Sequence, residues 1–100
     1  MKHVIEKTEL DEILKSNKKV VVDFYADWCG PCKMLAPVFE EVSKEKTDWT
    51  FVKINVDESK ELPIQYQVSS IPNVITFIDG EKTNSRIGFI PKDQLIDLLK

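Results

Sequence analysis

The segment at residues 20–25 constrains the fold of this chain more than any other. It reads Val-Val-Val-Asp-Phe-Tyr, a run of β-branched and aromatic residues with almost no alternation between polar and apolar positions. Such residues favour strands, and the missing alternation is typical of a strand that is covered on both faces. We therefore expect a central strand of a sheet here.

Four segments show the apolar spacing of a helix. They cover residues 8–17, 32–44 and, more weakly, 58–67, and a last helix begins at Pro91. Thr8 and Asp11 predict a capping pair for the first helix. Pro37 predicts a kink in the second helix because proline removes a backbone donor, and Pro63 interrupts the third.

Further strands are predicted at residues 51–56, 74–78 and 83–88, with a short edge strand at Val4 and Ile5. Alternating strands and helices joined right-handedly give parallel strands, whereas Asp79-Gly80 predicts a tight antiparallel hairpin. The predicted fold class is α/β, with a central mixed β-sheet of four to five strands flanked by helices on both faces. A chain of 100 residues is the size of one domain, so residues 1–100 are predicted to form a single domain.

Charge and hydropathy exclude several classes of partner. The 14 basic and 17 acidic residues give a net charge of −3, and neither sign forms a run of five, so nucleic acid and anionic membranes are poor candidate partners. The first residues lack the apolar segment of a secretory signal, and no stretch approaches ~20 apolar residues. We expect a soluble, cytoplasmic and monomeric protein, unless a targeting segment has been removed.

Cysteine usage is the sharpest clue to function. The chain has only two cysteines, Cys29 and Cys32, and a single histidine, His3. Two cysteines so close in sequence cannot crosslink distant parts of a secreted fold. Together with His3 they supply only three of the four ligands that a structural zinc site needs. The spacing alone fits a redox pair about as well as half of a metal site or two small buried side chains. The strand-turn-helix context favours redox chemistry, and no metal site is predicted.

The position of the pair assigns different tasks to the two sulfurs. Cys29 opens a helix, where unpaired N–H groups and the helix dipole favour a thiolate, and Lys33 adds a positive charge. Cys29 is therefore predicted to be the attacking sulfur. Cys32, three residues later, faces the same side and can close a ring with it, while Pro31 fixes the first helical turn.

Two charged residues and one tryptophan are further candidates. Asp23 is a carboxylate within an apolar strand, where burial would raise its pKa and make it a proton acceptor, although its position also fits a half-solvated structural residue. Lys53 could pair with Asp23 across adjacent strands, or it could simply face solvent. Trp28 should be partly exposed beside the first cysteine, as in a contact surface. Taken alone, Pro72 and Gly88 fit ordinary loop residues.

Residues 23–32, Asp-Phe-Tyr-Ala-Asp-Trp-Cys-Gly-Pro-Cys, resemble the active-site segment of the thioredoxin family. The resemblance spans essentially the whole chain. It includes Pro37 as the kink proline, residues 53–57 as the third-strand pattern, Ile71-Pro72 as a cis-proline loop and Gly88 as a substrate-facing glycine. The resemblance implies the thioredoxin fold and a protein-disulfide reductase that contributes to cell redox homeostasis.

The resemblance also implies the role of each site residue. Cys29 would attack a client disulfide and Cys32 would resolve the mixed disulfide, with Asp23 taking the proton of Cys32 through water and Lys53 tuning Asp23. The active-site loop would contain Trp28, Gly30, Pro31 and Lys33, and clients would bind at Ile71, Pro72, Gly88 and Phe89. No cofactor would be bound, because electrons would come from NADPH through thioredoxin reductase. Disulfide-containing client proteins would be the other partners.

Four positions depart from the commonest family pattern: Tyr25, Asn73, Phe89 and Pro91. None touches the sulfur chemistry, but Asn73 and Phe89 are expected to flank the docking surface and to affect partner range.

Two alternatives remain open. One is an oxidant or isomerase of the same fold, although the histidine between the cysteines that resembles that branch is absent. The other is a non-catalytic binding subunit that uses the Trp28 and Phe89 surface.

Overall fold

The computed structural model describes all 100 residues, and helices and strands alternate along most of the chain. The elements are β1 Lys2–His3, α1 Lys7–Ser16, β2 Lys19–Tyr25, α2 Gly30–Glu45, β3 Thr50–Asn55, α3 Glu61–Gln65, β4 Asn73–Ile78, β5 Glu81–Ile87 and α4 Lys92–Leu98. The predicted α/β class is therefore confirmed.

The five strands form one mixed sheet in the order β1-β3-β2-β4-β5. β2 is the central strand, as its sequence predicts, and it pairs parallel with β3 and antiparallel with β4. Asp23 lies opposite Lys53 on one side and opposite Val74 on the other. The acidic residue is thus placed in the middle of the sheet.

Helices cover both faces of the sheet, and each face has its own apolar cluster. On one face, Leu10 and Leu14 of α1 and Leu62 of α3 belong to a cluster with residues of β2, β3 and β4, such as Val22 and Ile54. α2 and α4 cover the other face, whose cluster includes Val21, Leu35, Phe39, Phe51, Val74 and Leu95. Because side chains alternate along a strand, Asp23 and Tyr25 lie on the same face as Val21, beneath α2.

Two details at the N-terminus differ from the sequence predictions. The edge strand is Lys2–His3, not Val4 and Ile5, although the N–H of Val4 still donates to the carbonyl of Lys53 at 3.0 Å. The capping box of α1 is formed by Glu6 and Glu9, because α1 begins one residue earlier than expected. The predicted capping pair of Thr8 and Asp11 is therefore wrong.

The two internal prolines have different consequences. Pro63 is the third residue of α3, where a helix has free N–H groups, so the missing donor there breaks no hydrogen bond. The expected interruption at Pro63 is wrong, and α3 is short instead. Pro37 lies inside α2, which continues on both sides of it. The kink at Pro37 stays a prediction.

Both edges of the sheet are polar or short. β1 has only two residues, both exposed, and all seven residues of β5 are exposed. The pairing of β5 with β4 is irregular between Thr76 and Phe77. No helix combines the length and the apolar character needed to cross a membrane.

The core beneath α2 gives a direct stability prediction. Phe39 is fully buried and its ring contacts that of Phe51 edge to face, with 5.0 Å between centroids. We expect Phe39→Ala to lower the free energy of unfolding by about 3–5 kcal/mol, because it removes buried surface and leaves a cavity. Urea denaturation of the oxidised protein measures this. Met34→Ala on the same helix, at a side chain that is 60% exposed, is the matched control and should change stability by less than about 0.5 kcal/mol.

Candidate active site

The two cysteines lie where β2 ends and α2 begins. Cys29 is the N-cap of α2 and forms a disulfide with Cys32. The N–H of Cys32 donates to Sγ of Cys29 at 3.2 Å, and the N–H of Lys33 donates to the Cys29 carbonyl at 3.1 Å. α2 therefore begins at Gly30, two residues before the predicted start, because the sulfur of Cys29 itself caps the helix.

This capping position favours a thiolate at Cys29. An N-cap faces the unpaired N–H groups and the positive end of the helix dipole. When the disulfide opens, a negative charge on Cys29 is stabilised there, and the N–H of Cys32 already points at the sulfur. Both cysteines are nearly buried, at 5% and 3% exposure, so burial does not distinguish them.

A second segment, the Ile71–Pro72 loop, lies against the cysteines. The Ile71–Pro72 peptide bond is cis, as the resemblance implies, and the carbonyl oxygen of Ile71 is 3.8 Å from Sγ of Cys29. The N–H of Gly88 donates to the Pro72 carbonyl at 2.8 Å, with a φ of +92° that favours glycine. The end of β5 therefore holds this loop beside the disulfide.

Asp23 is a fully buried carboxylate. Its exposure is 0%, and neither carboxyl oxygen accepts a hydrogen bond. The ammonium of Lys53, whose side chain is 13% exposed, lies 3.9 Å from Oδ2. Burial raises the pKa of Asp23 to about 6, although the positive charge of Lys53 acts in the opposite direction. The alternatives of a half-solvated Asp23 and a solvent-facing Lys53 are therefore wrong.

A small cavity lies between Lys53, one member of this ion pair, and Cys32. The cavity has a volume of about 310 Å³ and is lined by Tyr25, Ala26, Asp27, Cys32, Lys33, Ala36 and Lys53. Lys53 thus lines the same space as Cys32 and also reaches Asp23. The cavity is large enough to hold water, and a chain of water molecules could carry a proton from Cys32 toward Lys53 and Asp23.

Trp28 has a partner that the sequence patterns did not identify. Its side chain is 69% exposed, and its indole Nε1–H donates to Oδ2 of Asp57 at 2.9 Å. The parallel pairing of β2 and β3 places Tyr25 opposite Asn55, so both strands end at the same edge of the sheet. The parallel pairing is therefore the sequence-level indication that Trp28 and Asp57 could meet, since residues that follow two neighbouring parallel strands come close together.

The expected docking residues are divided between surface and interior. Phe89 is 39% exposed and Ile71 is half-buried beside the disulfide. Asn73, in contrast, is only 4% exposed, and its Oδ1 accepts a hydrogen bond from Ser85 at 2.9 Å. The expectation that the Asn73 side chain flanks the docking surface is therefore wrong, because this side chain joins β4 to β5.

Known proteins resemble this chain over its whole length. The family model described as Thioredoxin matches residues 1–100. The thioredoxin of Mycoplasmoides gallisepticum is 60% identical over 100 residues and covers 100% of both chains. Among solved structures, a mutant thioredoxin of Halobacterium salinarum NRC-1 has a TM-score of 0.92 at 44% identity, covering 98% of this chain and 86% of that one. Oxidised mitochondrial thioredoxin 3 of Saccharomyces cerevisiae has a TM-score of 0.93 at 33% identity, with coverages of 99% and 92%.

Proposed function

This chain belongs to the thioredoxin family, and from that premise we propose how its residues divide the work of a protein-disulfide reductase. Members of the family are thiol-disulfide oxidoreductases, and the Cys29–Cys32 pair is the redox-active centre. The observation that carries the assignment of roles is the capping of α2 by Sγ of Cys29. The relatives reported above are thioredoxins, so they lend no support to the oxidant, isomerase or binding-subunit alternatives.

The cycle has two exchange steps. In the dithiol form, the Cys29 thiolate attacks one sulfur of a client disulfide, and the other client sulfur leaves as a thiolate. Cys32 then gives up its proton and attacks Sγ of Cys29. The Cys29–Cys32 bond forms, the bond to the client breaks, and the client leaves with both sulfurs reduced. Two electrons have then passed to the client.

We propose that Asp23 is the base that accepts the proton of Cys32. A base with a pKa near 6 can accept a thiol proton at neutral pH and release it again, whereas an ordinary aspartate is a weaker base. Lys53 connects the buried carboxylate to the active site, because it contacts Asp23 and lines the cavity at Cys32. Lys53 also helps to keep the carboxylate charged, since a nearby cation favours the ionised form.

Clients are proposed to bind across Trp28, Ile71, Pro72, Gly88 and Phe89. Neither the N–H nor the carbonyl of Ile71 takes part in a backbone–backbone hydrogen bond, so both are free to pair with an extended client segment. A side chain added at Gly30 would meet nothing within 4 Å, which leaves open space above the active-site loop of Trp28, Gly30, Pro31 and Lys33. Pro72 is itself buried, and its carbonyl accepts a hydrogen bond from the N–H of Gly88.

The oxidised chain needs an external reductant, and we propose that NADPH supplies it through a thioredoxin reductase. We also propose that the chain acts as a single-domain monomer in the cytoplasm. In an assay with NADPH, a thioredoxin reductase and insulin, NADPH absorbance should fall only when the chain is present. The Cys29→Ser protein is the control. If the chain reduces insulin with dithiothreitol but accepts electrons from none of several bacterial thioredoxin reductases, the proposed electron donor is contradicted.

A further inference from the structure

Tyr25 contacts the charged end of Lys53 at the end of the central strand. The Lys53 ammonium lies 4.3 Å from the centroid of the Tyr25 ring, a distance at which the face of an aromatic ring attracts a cation. The same nitrogen lies 3.9 Å from Oδ2 of Asp23. Asp23 and Tyr25 are two residues apart on β2, so both side chains project from the same face toward Lys53 on β3.

The Lys53 side chain borders two cavities, and its ammonium group could point into either of them. It lines the cavity at Cys32, and it also lines a neighbouring cavity of about 530 Å³ between β1 and α2. Glu40 faces that second cavity and could attract the ammonium away from the centre of the sheet. The long, flexible lysine chain does not by itself choose between the two. Of these two cavities, the ring of Tyr25 lines only the one at Cys32.

We propose that Tyr25 is a positioning residue of the reductase, whose ring face holds the Lys53 ammonium on the Cys32 side and within ion-pair distance of Asp23. The inference rests on the proposed function of Asp23 as the acceptor of the Cys32 proton. Tyr25 does not touch the reacting atoms, and it acts through Lys53.

Other charged groups also face Lys53. They are Asp23 on β2, Asp27 in the loop after it, His3 on β1, and Lys33, Glu40 and Lys44 on α2. The ε-ammonium of Lys44 is 3.8 Å from Glu40, which leaves that carboxylate partly neutralised. Tests of Tyr25 therefore compare variants that keep all of these groups, so that their contributions cancel.

The test follows the titration of Asp23 by carboxyl carbon NMR in the oxidised protein, where neither cysteine titrates. Without the ring, Lys53 is free to turn toward Glu40, and the midpoint of Asp23 should move to higher pH by roughly half a pH unit. Tyr25→Leu should show this shift. Tyr25→Phe keeps the ring and removes only the hydroxyl, so it should keep the wild-type midpoint.

A double-mutant cycle with Lys53→Met separates this effect from general loosening of the site. In the Lys53→Met background, Tyr25→Leu should leave the Asp23 midpoint unchanged, because the ring has no ammonium to hold. Equal shifts in both backgrounds, or no shift in either, would overturn the proposal. If Tyr25→Leu does not fold, the unmodified protein still provides a test. Ring-current shielding should move the Lys53 Hε protons upfield, and unshielded Hε protons would also overturn it.

The pH dependence of insulin reduction distinguishes this inference from the proposed role of Asp23. If Tyr25→Leu shifts the Asp23 midpoint and the pH profile follows it, both stand. If the midpoint shifts and the profile does not, the positioning by Tyr25 stands and the proton-acceptor role of Asp23 fails.

Discussion

A Cys29→Ser variant is expected to lose all disulfide-reductase activity, so that insulin is reduced no faster than by dithiothreitol alone. The sulfur of Cys29 caps α2 and accepts a hydrogen bond from the N–H of Cys32, so a thiolate that formed there would be stabilised. A serine hydroxyl at the same N-cap still satisfies the helix but is not ionised at neutral pH and cannot exchange with a disulfide. The fold should therefore be kept while the chemistry is lost.

Cys32→Ser is the matched variant, because it removes the other sulfur and leaves the attacking one. It should still form a mixed disulfide with a client, and this complex should persist because no second thiol resolves it. Non-reducing electrophoresis after mixing with an oxidised client measures the trapped species. If Cys29→Ser forms the trapped complex and Cys32→Ser does not, the assignment of the two sulfurs is reversed.

An Asp23→Asn variant is expected to be more stable than the natural chain at pH 7, by up to about 3 kcal/mol. The carboxylate is fully buried without a hydrogen bond, and its pKa rises from 3.8 to about 6 on folding. The folded protein therefore resists the ionisation that the unfolded chain undergoes readily. A neutral amide of similar shape removes the cost of the buried charge. Urea denaturation of the oxidised proteins gives the difference.

The pH dependence of that difference has a definite sign. Between about pH 3.8 and 6 the folded state binds more protons at Asp23 than the unfolded state does, so this residue lowers stability as pH rises. The advantage of Asp23→Asn should be absent below about pH 3.8, grow through that window and remain constant above about pH 6. An equal advantage at about pH 3.5 and pH 7 would show that shape, and not charge, is responsible.

The same substitution should slow catalysis. Because Asn cannot accept the Cys32 proton, release of the client should slow by at least about tenfold at neutral pH. Decay of the mixed disulfide measures that step separately from the first attack. A gain in stability together with full activity would contradict the role of Asp23 as the proton acceptor.

Much of the fold could be predicted from the sequence because its elements have strong local patterns. The apolar run at β2, which only Asp23 interrupts, predicts the central strand, and Asp79-Gly80 predicts the hairpin between β4 and β5. Ends of elements were less predictable. The start of α2 depends on a cysteine acting as a cap, and β1 is defined by its pairing with β3 more than by its own residues.

The part of the candidate site that could be predicted from sequence is the cysteine pair, because few side chains can perform its chemistry. Residues whose position depends on tertiary contacts were harder to predict. Two cysteines that open a helix after a buried strand favour one chemistry, whereas Asp23 and Lys53 required the family resemblance to be interpreted as functional. The hydrogen bond from Trp28 to Asp57 and the burial of Asn73 depend on how distant segments meet. No spacing along the chain encodes them.

The two edges of the sheet have a consequence for colloidal behaviour. The client surface that we propose includes the exposed apolar side chains of Trp28 and Phe89, and exposed apolar surface favours self-association. Open strand edges would add a second route, in which copies extend one another's sheets into fibres. β1 is too short to act as a template, and β5, whose pairing with β4 is irregular, carries charges such as Lys82 and Arg86. We therefore expect the molecule not to polymerise through its strand edges, even though the proposed client surface is apolar and exposed.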